Sequence, residues 1–287
     1  HVHYAIPHAY AAFMAKKILS DNGFNIPIIT TLHGTDITLV GSHPFYKPAV
    51  TFSINKSDIV TCVSDSLRDD TREFFDIKRD IKVIPNFVDI QKFSKKHHLS
   101  ERNMIAQGKE KIIVHVSNFR PLKRIIDVLK IFKKISKKID SKLIMVGDGP
   151  DKKKAKDFLR KNDLKSRVIF LGKTTQVDEI LCSSDLFLLP SEKESFGLAA
   201  LEAMAFKVPV ISTNVGGLKD LNINGNSGYT SNVGDIDSMA NNAINILSDN
   251  SLKKQFKNQA FENAKKYDIK NIIPLYEEVY AQALKID

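Results

Sequence analysis

The sequence predicts an α/β fold built from two doubly wound parallel-sheet domains. Three observations support this: short apolar and β-branched runs recur along the whole chain, most end in a glycine-bearing or polar loop, and a helical stretch follows each loop. Strand, crossover helix and strand in succession make parallel neighbours. At 287 residues with 43% apolar content, the chain is long enough to build two cores.

His1-Val2-His3-Tyr4-Ala5-Ile6-Pro7-His8 reads as the end of a strand that turns into a helix carrying Ala11, Ala12, Phe13, Ala15 and Ile18. Three histidines and a tyrosine at a strand end suggest the rim of a pocket. His1 and His3 alternate and so share a face, which raises metal binding, but no nearby carboxylate or cysteine completes a ligand set and no metal is expected. Ile26 to Leu32 forms the next strand and delivers His33-Gly34-Thr35-Asp36 into a loop, where Gly34 permits a tight turn. His33 in such a loop suits an acid, a base, a contact to a sugar oxygen or a simple cap. Asp58 to Val63 is a further buried strand, and Ser64, Asp65 and Ser66 supply N-cap chemistry for a helix through Phe75. Ile81 to Ile84 closes the first series.

From Ser94 to Glu110 the chain turns polar and basic and loses periodicity. The domain boundary is placed there, giving a first domain at 1–107, a second at 108–268 and a terminal helix at 269–287 that crosses back to the first. The second series runs through Lys111 to Ser117, Lys142 to Val146, Val168 to Gly172, Leu186 to Pro190 and Val208 to Ser212. From Asp235 onward two or three helices are expected. His1 opens inside a motif without an initiator methionine or a signal peptide, so a longer polypeptide, with the first domain truncated here, is expected.

Cys62 and Cys182, the only cysteines, sit in apolar contexts, which argues against a disulfide framework or a zinc site and fits a reducing cytoplasm. No apolar run reaches membrane-spanning length. The net charge of +10 is concentrated between Lys130 and Lys165, on the outer faces of helices whose inner faces carry Ile125, Val128, Leu129, Phe132 and Ile135. Stacking aromatics interleaved with these lysines, as single-strand binders use, are lacking, so no nucleic-acid partner is expected. Peripheral membrane contact and homo-oligomerisation stay open.

The chemistry gathers at three stretches of the second domain. Glu194-Ser195-Phe196-Gly197-Leu198-Ala199-Ala200-Leu201-Glu202 follows a buried strand and opens a helix, so Glu194 lies at the carboxyl end of a strand and Glu202 inside the helix. In open α/β sheets ligands bind at that edge, and the N–H groups of Ser195, Phe196, Gly197 and Leu198 at a helix start favour an anion. Arg120 and Lys123 lie at an equivalent strand-to-helix junction, where a guanidinium fork and an ammonium point charge suit a diphosphate. Gly147 and Asp148 end another strand and would sit near a sugar or phosphate. A lone pair of glutamates is usually just surface charge, and the three stretches together weigh against that. The dinucleotide fingerprint G-x-G-x-x-G and the Walker pattern are both absent, which argues against a nicotinamide enzyme or a P-loop ATPase.

With Ser117 to Arg124, Val146-Gly147-Asp148-Gly149-Pro150, the E-x7-E run Glu194 to Glu202 and Asn214-Val215-Gly216-Gly217 in order, the second domain resembles the family-four retaining glycosyltransferases. Their GT-B architecture pairs two Rossmann-like domains. The resemblance implies a metal-independent, nucleotide-sugar-dependent transferase without cofactor, in which Arg120 and Lys123 hold the diphosphate, Glu194 attends the donor sugar and Glu202 the ribose. His1 to Ala9 and Thr30 to Thr38 resemble the branch of that family that moves N-acetylglucosamine from UDP-N-acetylglucosamine to the hydroxyl of L-malate in bacillithiol biosynthesis. That resemblance implies Tyr4, Thr31 and Asn118 at the malate and His33 at the transferred sugar. A lipid-linked or polysaccharide acceptor is the alternative, and a non-catalytic binding module that uses the basic helices is a third. The sequence departs from the family in two places: its N-terminal strand and glycine-rich loop are not among these residues, and Leu218-Lys219-Asp220-Leu221 stands where relatives carry an Ile-Pro-Glu-Val-like turn.

Overall fold

The computed structural model describes residues 1–41, 43–94, 102, 106 and 108–285. The chain divides into two compact units, His1–Asn86 with Ile269–Asp287, and Phe87–Asp268. The boundary expected between 107 and 108 falls at a stretch mostly outside the described residues. The second unit takes up the chain at Phe87: the Val88 N–H donates to the Tyr267 carbonyl at 3.0 Å, and Val88 bridges Asp268.

The first unit is a four-stranded sheet, β1 (Val2–His3), β2 (Ile29–Leu32), β3 (Ile59–Cys62) and β4 (Ile81–Val83), paired in that order and parallel throughout. The helix Asp65–Phe74 starts as its sequence predicts, with Ser64 Oγ accepting from the Leu67 N–H at 3.2 Å. The final helix, Ile269–Leu284, buries Ile272 and Val279 against Ile29 of β2 and Ile84, the residue that follows β4. The helix Tyr10–Asp21 buries no residue fully.

Among its described residues the second unit has six strands: β5 (Lys111–Val116), β6 (Ser141–Val146), β7 (Val168–Gly172), β8 (Leu186–Leu189), β9 (Val210–Thr213) and β10 (Gly228–Ser231). Their order is β10-β9-β8-β5-β6-β7, again all parallel. Strand order therefore reverses between β5 and β8, which makes the crevice above their carboxyl ends the topological switch point of the sheet. Ile113, Leu143, Leu186, Leu188 and Ile211 from the strands close on Val128, Leu129 and Phe132 of the helix Ile125–Ile135 and on Ala243 and Ile246 of the helix Ile236–Ser248. Three helices follow Asp235, and Pro274 lies inside the last. No helix among the described residues is long and apolar enough to cross a membrane.

Candidate active site

The loops that leave β5 and β8 meet at the switch point. Lys123 ends a short turn, Pro121–Lys123, and its ammonium forms an ion pair with the Glu194 carboxylate, which also accepts from Ser191 Oγ at 3.0 Å. Side-chain exposure is only 17% for Lys123 and 11% for Glu194, so the pair is held mostly out of water, where its charges interact strongly. The main chain ties the same loops together, the Glu192 N–H donating to the Leu122 carbonyl at 2.7 Å. Arg120 and Asn118 are exposed on the β5 loop.

Glycine makes these approaches possible. A Cβ on Gly216 would lie 1.8 Å from the Glu194 carbonyl oxygen and one on Gly147 1.8 Å from that of Ser117, far inside contact distance. Both have positive φ, +51° and +117°. The Gly217 N–H donates to the Glu194 carbonyl at 3.1 Å, so the Asn214 to Gly217 turn braces the acidic loop from behind. Gly197, at φ +96°, leads into the helix Leu198–Ala205 and is covered by Leu218, whose side chain leaves no room for a Cβ there. The unusual Leu218–Leu221 segment is a short helix whose first leucine seals this turn.

Phe196 turns inward, 5% exposed and edge-on to Tyr267, so only its main chain is available to a ligand. Leu198 is exposed. Ser195, like Glu194, is half-buried. Glu202 lies one turn into the helix, half-buried, and burial reinforced by the Asp178 carboxylate raises its pKa to about 7 despite Lys92 nearby. Asp148 accepts from the Gly149 N–H at 2.8 Å and from Lys152 at 2.6 Å, and these bonds hold its carboxyl below the usual range.

In the first unit the carboxyl ends of β1 and β2 carry a second cluster. His33 and His3 share a hydrogen bond of 2.8 Å between Nε2 and Nδ1, and the Tyr4 ring lies 5.0 Å from that of His33. Burial, with His3 beside it, brings His33 down to about 4, so it is neutral at pH 7. Asp36 holds the two loops in place: its carboxylate accepts from the Ala5 N–H at 2.8 Å and the Gly34 N–H at 3.0 Å. Thr31 is fully buried, its hydroxyl engaged by His1 at 2.7 Å and Thr61 at 2.6 Å. Its side chain therefore lies beneath the cluster, within the sheet. His1 and His3 face each other at 4.7 Å between rings, and His1 Nδ1 lies 2.8 Å from the Tyr280 hydroxyl.

Two polar residues beside the predicted ones carry no sequence-based assignment. Asp36 is one, and an acid directly after a His-Gly-Thr loop is a recognisable signal for capping main-chain N–H groups. His115 is an imidazole inside the apolar run Ile112 to Val116, where the strand pattern alone gives it no role.

Residues 100–263 match the family model of glycosyl transferases group 1 and residues 1–92 that of glycosyltransferase family 4. The chain belongs to the family-four glycosyltransferases. Among individual proteins, it is 43% identical over its whole length to the N-acetyl-alpha-D-glucosaminyl L-malate synthase of Bacillus anthracis, of which it spans 75%. It is also 28% identical to an uncharacterized glycosyltransferase of Methanocaldococcus jannaschii, with 98% of this chain and 74% of that protein aligned. Two solved structures show the shared GT-B fold. Sucrose-phosphate synthase from Thermosynechococcus elongatus superposes with a TM-score of 0.84 at 20% identity, covering 99% of this chain and 73% of that one. Anabaena HepE, in complex with UDP and glucose, gives 0.82 at 20% identity over 95% and 76%.

Proposed function

We propose that this protein is a retaining transferase that moves N-acetylglucosamine from UDP-N-acetylglucosamine to the hydroxyl of L-malate, a step of bacillithiol biosynthesis. The observation that carries the reading is the shielded Lys123–Glu194 pair at the β5/β8 switch point of a chain 43% identical throughout to an L-malate synthase of this type. Lys123, with Arg120 on the same loop, stabilises the charge that grows on the departing diphosphate, so no metal ion is required. As Lys123 turns to phosphate, Glu194 is released to accept from sugar hydroxyls. Main-chain N–H groups of Ser195 to Leu198 face the donor, Gly147 and Asp148 lie near the sugar or phosphate, and Glu202 accepts from the ribose.

His33 is neutral and so acts as a hydrogen-bonding group toward the transferred sugar. Tyr4 and Asn118 supply polar contacts to malate, and Thr31 supports the β2 end from below. Retention proceeds on one face of the sugar: a donor phosphate oxygen takes the acceptor proton as the carbon–oxygen bond to UDP breaks, and Glu194 never becomes a covalent nucleophile. That separates the site from the paired carboxylates of retaining hydrolases.

An acceptor screen with UDP-N-acetylglucosamine, scored by UDP release with and without EDTA, tests the proposal. L-Malate is expected to be the preferred acceptor, EDTA to have no effect, and the product to be the α-anomer by NMR. Preference for a lipid-linked or polysaccharide acceptor would refute the malate assignment.

A further inference from the structure

Beneath the Arg120–Lys123 loop lies a polar device with no assigned role. His115 is fully buried near the carboxyl end of β5, and both ring nitrogens have partners: Nδ1 is 2.8 Å from the Leu188 carbonyl of β8 and Nε2 is 2.8 Å from Ser117 Oγ. A carbonyl only accepts, so Nδ1 carries the proton and Nε2 is left to accept from the Ser117 hydroxyl. The lone pairs of Ser117 Oγ in turn accept from the Phe119 N–H at 3.3 Å. The hydrogen bonds therefore run in one direction, from Phe119 to Ser117 to His115 to β8. Burial, against the pull of the Leu188 carbonyl and with Lys123 close by, brings His115 down to about 4, so the ring is neutral.

The relay ends at a strained residue. Phe119 has φ +43°, a conformation that a side-chain-bearing residue keeps only where its surroundings hold it. Its ring is fully buried, its carbonyl accepts from the Asp151 N–H at 3.1 Å, and Gly149 leaves room for the neighbouring Asn118 carbonyl. Arg120 follows directly and Lys123 three residues later. Leu188, the other end of the relay, stands six residues before Glu194.

We propose that His115 and Ser117 act as a pair of positioning residues, a one-way hydrogen-bond relay that couples the cationic loop after β5 to β8 and so sets Arg120 and Lys123 where a nucleoside diphosphate places its phosphates. The inference rests on the donor-site reading above. It assigns the relay to phosphate recognition and leaves nucleoside recognition, at Glu202, outside its reach.

Calorimetric titration of UDP and of uridine into the full chain at constant ionic strength tests it. The parent is expected to bind UDP far more tightly than uridine. Ser117→Ala, which strands a buried imidazole nitrogen and the Phe119 N–H, is expected to weaken UDP about tenfold and leave uridine unchanged, and Ser117→Thr is expected to restore UDP binding. His115→Asn keeps a donor toward Leu188 but removes the ε nitrogen, and should match Ser117→Ala, with the double variant no weaker than either single one. UDP affinity retained in Ser117→Ala, or a parallel loss of uridine affinity, would overturn the relay while the donor site stands. A parent indifferent to phosphate would remove the donor reading and the relay together.

Discussion

At the carboxyl ends of β5 and β8 an ammonium and a carboxylate face each other with most of both side chains out of water, whereas the end of β2 presents the His33 imidazole, which burial keeps neutral, beside a carboxylate bonded to main-chain N–H groups. The same local architecture, a parallel strand opening into a loop, thus yields two different chemistries. In the second unit the charge is the working part, available to a diphosphate once the internal pair separates. In the first unit the charge of Asp36 is spent on shape, and the groups left at the surface are suited to hydroxyls.

The sharpest way to break this comparison is Lys123→Met. If the ammonium is the working charge of the second unit, kcat should fall at least about a hundredfold, as when a transition-state donor is lost, with the melting transition showing that the variant is still folded. A turnover within about threefold of the parent would mean that the pair only holds loops together, as Asp36 does. Asp36→Asn examines the other side. One of its two main-chain donors loses its acceptor, so a stability loss of about 1–3 kcal/mol in denaturant titration is expected, with uridine affinity unchanged. A loss of uridine binding there would undo the division of labour.

Acid separates the clusters further. His33 has a folded pKa of about 4, below the ordinary 6.5, so the unfolded chain binds the extra proton first. The stability this contributes is complete above about pH 6.5 and disappears as pH falls through about 4. His33→Asn should therefore lose less of its melting temperature than the parent between pH 7 and pH 5, by a few degrees, and identical slopes would count against a buried neutral imidazole. The smallest effect concerns Glu202, whose carboxyl titrates near 7. A carboxylate accepts from ribose hydroxyls better than the acid does, so uridine affinity should rise a few-fold from pH 6 to pH 8 in the parent and stay flat in Glu202→Gln.

Much of the scaffold was legible because inner parallel strands such as β2, β8 and β9 are buried on both faces, and because Ser64 and the loop glycines announce where strands stop and helices start. β10 was not: Gly228-Tyr229-Thr230-Ser231 is as long as its neighbour β9 but lies at the sheet edge and lacks the apolar pattern of the inner strands. In the candidate site, Lys123 and Glu194 were legible as residues on strand-end loops. The inward turn of Phe196, the burial of Thr31 and the role of Asp36 were not, because each depends on which face of its element meets a core.

The sequence by itself determined the alternation of strand and helix, hence parallel sheets with functional loops at one edge, since local periodicity and turn chemistry suffice for that. Only the tertiary structure decided which loops become neighbours. Lys123 and Glu194 stand 71 residues apart, and nothing local to either encodes that β5 and β8 pair across the reversal of strand order. The same long-range pairing gives His115 a carbonyl on β8 to bond, turning an isolated histidine in an apolar run into a link between the two halves of the site.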